Sequence, residues 1–152
     1  MKIYLATDHA GFGLKEKLKT FLRGEGHQVE DCGAFAYSPD DDYPDFIRLA
    51  AAAVSADPEG SRAIILGGSG QGEAIAANRF LGVRAVVYYG GRPEIIKLSR
   101  EHNDANVLSF GARFVGDEEA LQAARDWLAA PFSGEERHRR RIRKLDSLRA
   151  KL

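Results

Sequence analysis

Short apolar runs alternate with segments of helical periodicity along most of the chain. The first run, 2–6, is rich in strand-forming residues and ends at the polar segment 7–11. Apolar side chains then recur at helical spacing at Leu14, Leu18, Phe21 and Leu22. The glycines in segment 23–26 stop this helix because glycine adopts the left-handed conformation at low cost. The pattern therefore predicts a strand followed by an amphipathic helix.

The same alternation continues to the end of the sequence. Further strands are predicted at 27–32, 63–66, 84–89 and 107–110, and further helices at 45–54, 73–79, 93–102, 117–128 and about 135–151. Segment 33–44 is predicted to be a loop. Asp117 is the predicted cap of the fifth helix, and Ser133 with Glu136 forms a predicted capping box before the sixth, Arg-rich helix.

Strands that alternate with helices predict a mostly parallel sheet with helices on both faces. Right-handed crossovers then put the loops after the strands along one edge, where such sheets bind ligands. Three of these loops contain Asp8–His9, the glycine-rich segment 67–72 and Gly111–Arg113. The sequence has no evident internal repeat, low-complexity tract or linker, so we expect one α/β domain over residues 1–152.

Composition narrows the class of protein. Lys plus Arg and Asp plus Glu both number 22, so the zero net charge disfavours whole-molecule attraction to nucleic acid or to an anionic membrane. The single cysteine, Cys32, excludes an internal disulfide framework. The sequence has no apolar run long enough for a membrane span and no signal-peptide pattern at its start. We therefore expect a cytoplasmic protein.

The segment Gly67-Gly68-Ser69-Gly70-Gln71-Gly72, here called the glycine loop, joins a buried strand to a helix. Residues without side chains at such a turn leave backbone N–H groups open to an anion or a developing oxyanion. A tight turn without a ligand is the simpler alternative. Four glycines in six residues, however, exceed what one turn needs.

Two nucleotide-binding motifs do not fit the glycine loop. A Walker-type loop has Lys and then Ser or Thr after its sixth residue, but Glu73 and Ala74 occupy those places. The dinucleotide fingerprint G-x-G-x-x-G ends on glycine, whereas its last position here is Glu73 or Ile75, depending on the starting glycine. The loop is therefore not predicted to bind a nucleotide in either way.

Glu73 follows the glycine loop and has two interpretations. Acidic residues are common in the first turn of a helix because the macrodipole favours them. Alternatively, Glu73 is a general base beside an oxyanion cradle, as proton abstraction next to a carbonyl requires. An ordinary Glu ionises near 4.3, so apolar surroundings would have to raise the pKa of this carboxyl for work near neutrality.

Several segments carry a resemblance to a known family. They are Asp8-His9-Ala10-Gly11, the glycine loop with Ile75-Ala76-Ala77-Asn78 behind it, Glu101-His102-Asn103-Asp104-Ala105-Asn106, and Arg137-His138 with Arg141. In order and spacing they resemble type B ribose-5-phosphate isomerases, a family that also includes allose- and galactose-6-phosphate isomerases. The resemblance covers nearly the whole chain. It implies a Rossmann-like three-layer α/β/α sandwich around a five-stranded parallel sheet.

One departure identifies the branch of the family. Some members carry a catalytic cysteine at the end of the third strand, where this chain has Gly67. The mycobacterial branch has glycine there and uses a glutamate five residues after the second glycine. Gly67, Gly68 and Glu73 match that arrangement. The resemblance and the local chemistry thus indicate the same base, Glu73.

The resemblance implies roles for the other matched residues. His102 would open the sugar ring, Ser69 would lie near the substrate's O1 and O2, and Asn103 would bind substrate. Asp8, His9 and the backbone of Gly68, Gly70, Gln71 and Gly72 would also contact substrate, and the phosphate clamp would comprise Arg113, Arg137 and Arg141. The alternatives are a helix-capping histidine, a turn serine and asparagine, and a solvated basic helix, to which Arg139, Arg140 and Arg143 are assigned. Tyr43–Pro44 matches a loop lining the site.

The implied reaction is the isomerisation of D-ribose 5-phosphate to D-ribulose 5-phosphate through an enediolate, without metal or cofactor. The resemblance also implies a homodimer or tetramer whose sites are shared between subunits, with the last helix reaching a neighbour's site. Erythrose 4-phosphate and six-carbon 6-phosphates remain open as substrates. A non-catalytic sugar-phosphate-binding protein is the rival class, and an RNA-binding domain is disfavoured by the zero net charge.

Overall fold

Five parallel strands form the centre of the molecule in a computed structural model that describes residues 1–148. Their order across the sheet is β2-β1-β3-β5-β4. The strands are β1 (Lys2–Thr7), β2 (Gln28–Asp31), β3 (Ser61–Gly67), β4 (Ala85–Tyr88) and β5 (Val107–Gly111). The predicted five-stranded parallel sheet is confirmed.

Helices connect and follow the strands. They are α1 (Phe12–Gly24), α2 (Tyr43–Ala56), α3 (Gln71–Ala77), α4 (Glu94–Asn103), α5 (Asp117–Ala129) and α6 (Glu136–Ser147). A short 3-10 helix, His9–Gly11, lies between β1 and α1 where only a loop was predicted. The predicted end of α6 near residue 151 lies outside the described residues. None of the described helices is long and apolar enough to cross a membrane.

The helices cover the sheet on both faces. One apolar core contains side chains from α1, α4 and α5, with Trp127 and Phe110 among its fully buried members. The other core lies under α2 and α3 and contains Ile47, Val54 and Ile65. Alternate residues of β3 enter the two cores, which explains why this strand reads as a continuous apolar run. The predicted three-layer α/β/α sandwich is therefore confirmed.

Two predicted helix starts, those of α2 and α3, and two predicted caps, those of α5 and α6, were wrong; α3 begins at Gln71 rather than at Glu73. Helix α2 begins at Tyr43, inside the predicted loop, because Pro44 has a fixed φ suited to a first turn. Gly116 is the cap of α5 and Asp117 its first residue, where the macrodipole favours a carboxylate. Ser133 does not cap α6, whose cap is Glu135; its hydroxyl instead lies 2.8 Å from Nδ1 of His138.

The order of the strands indicates where along the carboxyl ends of the strands a ligand would bind. After β1 the chain crosses to one side, to β2, while β3 lies on the other side of β1. Parallel sheets bind ligands outside the carboxyl ends of strands at such a switch point. The side chain of Thr7 ties these ends together by donating a 3.0 Å hydrogen bond to the carbonyl of Leu66. Asp8 and the glycine loop thus start side by side.

A buried ion pair supports the loop between β2 and α2. Lys15 is fully buried, and its Nζ donates to Asp31 Oδ1 at 2.6 Å and to the carbonyl of Ala34 at 2.7 Å. Burial opposes ionisation of Asp31, but hydrogen bonds from Lys15, Lys19 and the Gly33 N–H outweigh it and lower the pKa of that carboxyl. The start of this loop is therefore fixed to α1.

Candidate active site

The side chain of Glu73 lies at the end of β3, in the space beside Gly67. A Cβ built on Gly67 would overlap all three carboxyl atoms of Glu73. Glu73 is the third residue of α3 and is only 4% exposed, so its carboxyl turns back from the first helical turn toward the strand. Glycine at position 67 is thus the condition for a glutamate at this place.

Burial changes the acidity of this carboxyl. Desolvation raises the pKa of Glu73 above its ordinary value, its own backbone N–H partly opposes that rise, and the nearby charge of Asp8 adds to it. This is the direction that makes a carboxylate a stronger base near neutrality. The expectation that the surroundings of Glu73 raise its pKa is thus met.

The glycine loop is held by its carbonyl side. The N–H groups of Ala112 and Arg113 donate to the carbonyls of Gly67 and Gly68 at 2.8 and 3.1 Å, and the Ser109 hydroxyl donates to the Gly70 carbonyl at 2.7 Å. The first N–H groups of a helix have no partner within it, and those of α3 belong to this loop. The loop can therefore present N–H donors to an oxyanion next to Glu73.

Glycines are required here for two local reasons. Gly70 has φ +77°, a left-handed conformation in which it caps α3, and a Cβ on it would meet the backbone of Phe110 at 2.9 Å. A Cβ on Gly72 would meet the hydroxyl of Tyr43 at 2.6 Å. The first residue of α2 therefore packs against the glycine loop, in keeping with the match of Tyr43–Pro44 to a loop that lines the site.

Exposed polar groups surround the buried carboxyl. Ser69 and Gln71 are exposed, and the Ser69 hydroxyl accepts a 3.3 Å hydrogen bond from the Gln71 N–H. The exposed side chain of Arg113 lies over Gly68, with Nη1 3.2 Å from the position of a Cβ there. The structure therefore places a hydroxyl and a guanidinium at the mouth of the loop.

Asp8 and His9 follow β1 and meet a residue to which sequence reasoning assigned no role. Asp8 is 7% exposed, and its Oδ1 accepts a 2.9 Å hydrogen bond from the N–H of Ala10. Asp41 Oδ1 accepts a 2.9 Å hydrogen bond from the His9 N–H and lies 2.7 Å from His9 Nδ1. No spacing signal pointed to Asp41, because it lies 32 positions away in an acidic run.

The same three side chains are spaced closely enough to hold a metal ion. One potential ligand atom from each of Asp8, His9 and Asp41 lies within 4.8 Å of the others. Hydrogen bonds already account for Oδ1 of both carboxylates and for one nitrogen of the imidazole. The donor set is therefore explained by hydrogen bonding, and the prediction of a metal-independent site stays a prediction.

The remaining site candidates form a second group on α4 and α6. The ring of His102 lies 4.5 Å from that of His138, centroid to centroid, and the Ser133 N–H donates to the carbonyl of Glu101. Arg137 and Arg141 lie exposed on α6, four residues apart and hence on one side of the helix. Arg137 Nε donates to Glu135 at 2.7 Å.

These two groups lie at opposite ends of the strands, one at the carboxyl ends and the other at the amino ends. Helix α4 runs back from β4, so His102 and Asn103 lie just before β5 begins, whereas Gly67 pairs with Gly111 at the end of β5. The five residues of β5, about 13 Å in length, separate the two ends. Within one protomer, His102 thus accompanies the α6 arginines rather than Glu73, which differs from the grouping expected from the sequence.

Cys32 takes no part in either group. It is 8% exposed under α2, and burial together with the charges of Glu30 and Asp31 raises the pKa of its thiol to about 11. A thiol with this pKa stays protonated near neutrality and is a poor nucleophile.

Comparison with known proteins gives the geometry a context. A family model described as Ribose/Galactose Isomerase matches residues 3–145. Ribose-5-phosphate isomerase B of Mycobacterium leprae (strain TN) is 45% identical over 142 residues, covering 93% of this chain and 86% of that protein. The protein of the same name from Escherichia coli (strain K12) is 41% identical, covering 97% and 95% of the two chains.

The fold is equally similar to solved structures. Ribose-5-phosphate isomerase B from Mycoplasma genitalium, solved with bound ribulose-5-phosphate, superposes with a TM-score of 0.95 at 35% identity and covers 99% of this chain and 97% of that one. The Clostridium thermocellum enzyme of the same name superposes with a TM-score of 0.92 at 40% identity, covering 99% of each chain.

Proposed function

Because the chain belongs to the ribose/galactose isomerase family, we propose that it is an aldose–ketose isomerase that converts D-ribose 5-phosphate to D-ribulose 5-phosphate. The curated relatives carry this activity in their names, and one similar structure holds ribulose-5-phosphate. The observation that carries the proposal is the buried Glu73 carboxyl beside Gly67, next to a loop that can offer backbone N–H groups.

Glu73 is the proposed base. With the sugar open, its carboxylate removes the proton from C2, and the electron pair moves into a C1–C2 double bond as the aldehyde oxygen becomes an enediolate oxygen. Backbone N–H groups of the glycine loop stabilise that oxygen. The protonated Glu73 then returns the proton to C1, which leaves a ketone at C2. The ketone also requires the O2 proton to move to O1, and we assign this transfer to the exposed Ser69 hydroxyl.

Ring opening and phosphate binding are assigned to the other group. His102 moves the proton between the anomeric and ring oxygens, and Asn103 hydrogen-bonds the sugar. Arg137 and Arg141 hold the phosphate together with Arg113 at the glycine loop, since guanidinium groups bind phosphate through two parallel hydrogen bonds. The phosphate lies away from the reacting carbons, so its binding energy can orient them.

The site is proposed to be complete only in a homodimer. Glu73 and His102 lie at opposite ends of the strands within one protomer. In the proposed dimer, the carboxyl ends of one protomer's strands meet α4 and α6 of its partner. The apolar side chains of Leu145 in α6 and of Leu148 just after it are 53% and 61% exposed, as expected of a surface that packs against another subunit. A two-fold dimer contains two such sites.

A direct assay tests the proposed function. Purified protein is incubated with D-ribose 5-phosphate, and ribulose 5-phosphate formation is followed, with four- and six-carbon aldose phosphates in parallel. We expect the five-carbon sugar to give the highest kcat/KM, and dialysis against EDTA to leave the rate unchanged. Binding of the sugar phosphate without ketose formation would instead identify a sensor.

We place the activity in the cytoplasm. Moving a charged phosphate into the apolar interior of a bilayer is costly, so a sugar phosphate stays in the compartment in which it is made.

A further inference from the structure

Asp41 belongs to the loop between β2 and α2, and both close polar contacts of its carboxyl group are with His9. Its Oδ1 accepts a hydrogen bond from the His9 backbone N–H at 2.9 Å and lies 2.7 Å from Nδ1 of the same residue. The side chain is 11% exposed. Within residues 1–148, its buried Oδ2 has no hydrogen-bond partner. The carboxyl group is thus devoted to one histidine.

This contact decides which nitrogen of His9 carries a hydrogen. A carboxylate oxygen can only accept, so Nδ1 must be the donor in this pair. The other ring nitrogen, Nε2, is then left to accept a hydrogen bond. The ring of Tyr37 stands edge-on to the imidazole with centroids 6.3 Å apart, and Asp8 Oδ2 lies 3.9 Å from Nδ1. The two carboxylates at Nδ1 and the ring of Tyr37 therefore restrict rotation of the imidazole.

We propose that Asp41 is a positioning residue of the active site, which fixes the ring of His9 with hydrogen on Nδ1, so that the lone pair of Nε2 accepts a hydrogen bond from a hydroxyl of the sugar phosphate. The inference rests on the proposed function, since it needs a substrate for His9 to contact. His9 follows β1 at the carboxyl end of the strands, where β3 ends at Gly67 and the Glu73 carboxyl lies beside that glycine. A histidine held by a carboxylate presents its second nitrogen in one tautomer, as orienting carboxylates do in other histidine sites.

The tautomer is measured first, in the wild-type protein and without substrate. Proton–nitrogen correlation spectra of protein labelled with ¹⁵N, in which His9→Gln identifies the His9 signals, distinguish the two nitrogens. We expect hydrogen on Nδ1 of His9. Hydrogen on Nε2 alone would overturn the proposal, as would a shift of these signals on removal of a bound metal ion by EDTA. This measurement does not depend on turnover, so it stands even if ribose 5-phosphate is not a substrate.

Kinetics then separate positioning from folding. Asp41→Ala is expected to lower kcat/KM for ribose 5-phosphate about 10- to 100-fold, mainly through KM, because His9 loses its fixed orientation. Asp41→Asn retains an acceptor oxygen and should recover much of the loss. Asp40→Asn, a neighbouring exposed carboxylate, is the matched control and should behave as wild type.

A double-mutant cycle gives the decisive comparison. If Asp41 acts through His9, Asp41→Ala should have little further effect on kcat/KM in a His9→Gln background. An undiminished effect in that background, or an Asp41→Ala protein as active as Asp40→Asn, would overturn the inference. Thermal unfolding of each variant identifies loss through misfolding, and the spectra of the isosteric Asp41→Asn then still report the ring of His9.

Discussion

At the scale of single residues, the chemistry depends on where one carboxyl group is allowed to lie. Glu73 reaches the end of β3 only because Gly67 leaves that space open. The same confinement removes water from the carboxyl and raises its pKa. Position and basicity therefore have one cause. A surface glutamate in the first turn of a helix would have neither property.

Replacing the base should slow the reaction without preventing binding. Glu73→Gln keeps the size of the side chain but cannot accept the C2 proton, so kcat should fall about 10²- to 10⁴-fold while KM stays within several-fold. Steady-state kinetics with ribose 5-phosphate measure both constants. The conversion of Glu59, an exposed glutamate, to glutamine is the control. Near-full turnover of Glu73→Gln would reduce Glu73 to an ordinary helix-start residue.

The same substitution should alter how stability depends on pH. At low pH the carboxyl is protonated in the folded and unfolded chains, so its burial carries no charge penalty. As pH rises from the ordinary pKa of a glutamate carboxyl through the raised pKa of Glu73, the unfolded chain ionises first and the folded state loses stability. Glu73→Gln cannot ionise and should lose less stability in this window. Urea unfolding midpoints of both proteins from about pH 4 to pH 8 test this, and parallel curves would contradict it.

Sequence reasoning reached Glu73 but could not reach Asp41. The glycine loop, the acidic residue after it and the failure of both nucleotide motifs are all local, so they can be read along the chain. The contact of Asp41 with His9 spans 32 positions and depends on the path of an irregular loop. Hydrophobic periodicity gives no information about such loops, as the misplaced start of α2 and the wrong cap of α6 also illustrate.

At the scale of elements, the site depends on how loops are fastened to the frame. The glycine loop is held by three hydrogen bonds to its carbonyls, one from Ser109 of β5 and two from the N–H groups of Ala112 and Arg113 just after that strand. The loop between β2 and α2, which carries Asp41, is fastened at its start by Lys15 of α1. In contrast, α6 buries one side chain, that of His138, whose ring lies beside that of His102. Two of the three elements of the site are thus fastened by several hydrogen bonds, whereas α6 is mostly exposed.

Removing the buried amine should weaken the fold. Lys15→Met leaves the Ala34 carbonyl without its donor and Asp31 with Lys19 as its remaining ammonium partner, so we expect a loss of about 1–3 kcal/mol in unfolding free energy. Lys17→Met, which removes an exposed partner of Asp117, is the matched control and should change stability by no more than about 0.5 kcal/mol. Urea unfolding followed by circular dichroism compares them. Equal stabilities would show that the buried pair contributes no net stability.

The arginines of α6 should act on binding rather than on chemistry. Arg137→Ala and Arg141→Ala each remove a charged donor to phosphate, so KM should rise about 10- to 150-fold with a smaller change in kcat. Arg140→Ala, exposed on the same helix, is the control. Unchanged Michaelis constants in both variants would leave these arginines as part of a solvated helix surface. The comparison is made at low ionic strength, because salt screens exposed charges.

At the scale of the whole molecule, parallel topology separates the two halves of the chemistry. The connecting helices run antiparallel to the strands. Residues at the end of a helix therefore lie at the amino ends of the strands, opposite to residues at the end of a strand. This rule could have been applied to the sequence, since it needs only the element order. It predicts that Glu73 and His102 cannot serve one site within a protomer. It leaves the arrangement of the two copies open, because that depends on surfaces rather than on periodicity.

Subunit mixing tests this division. A Glu73→Gln protein and a His102→Asn protein, each inactive alone, should regain about a quarter of wild-type activity after random exchange, because half the dimers are mixed and hold one intact site each. His102→Asn mixed with an Arg137→Ala/Arg141→Ala protein should regain nothing, since both lesions lie in the same group. Differently tagged subunits verify exchange. The reverse pattern, or an active monomer by light scattering, would contradict the shared site.

The overlap between a side chain at position 67 and the Glu73 carboxyl also restricts evolutionary change. A cysteine introduced at 67 while Glu73 remains would force two nucleophilic groups into one space. Loss of Glu73 while Gly67 remains would leave the pocket without a base. Neither single substitution leaves a functional site, so a change between thiol and carboxylate chemistry has to pass through an inactive variant. Positions 67 and 73 are therefore expected to covary. A gene duplication would allow the change, because one copy can pass through the inactive variant while the other keeps the activity.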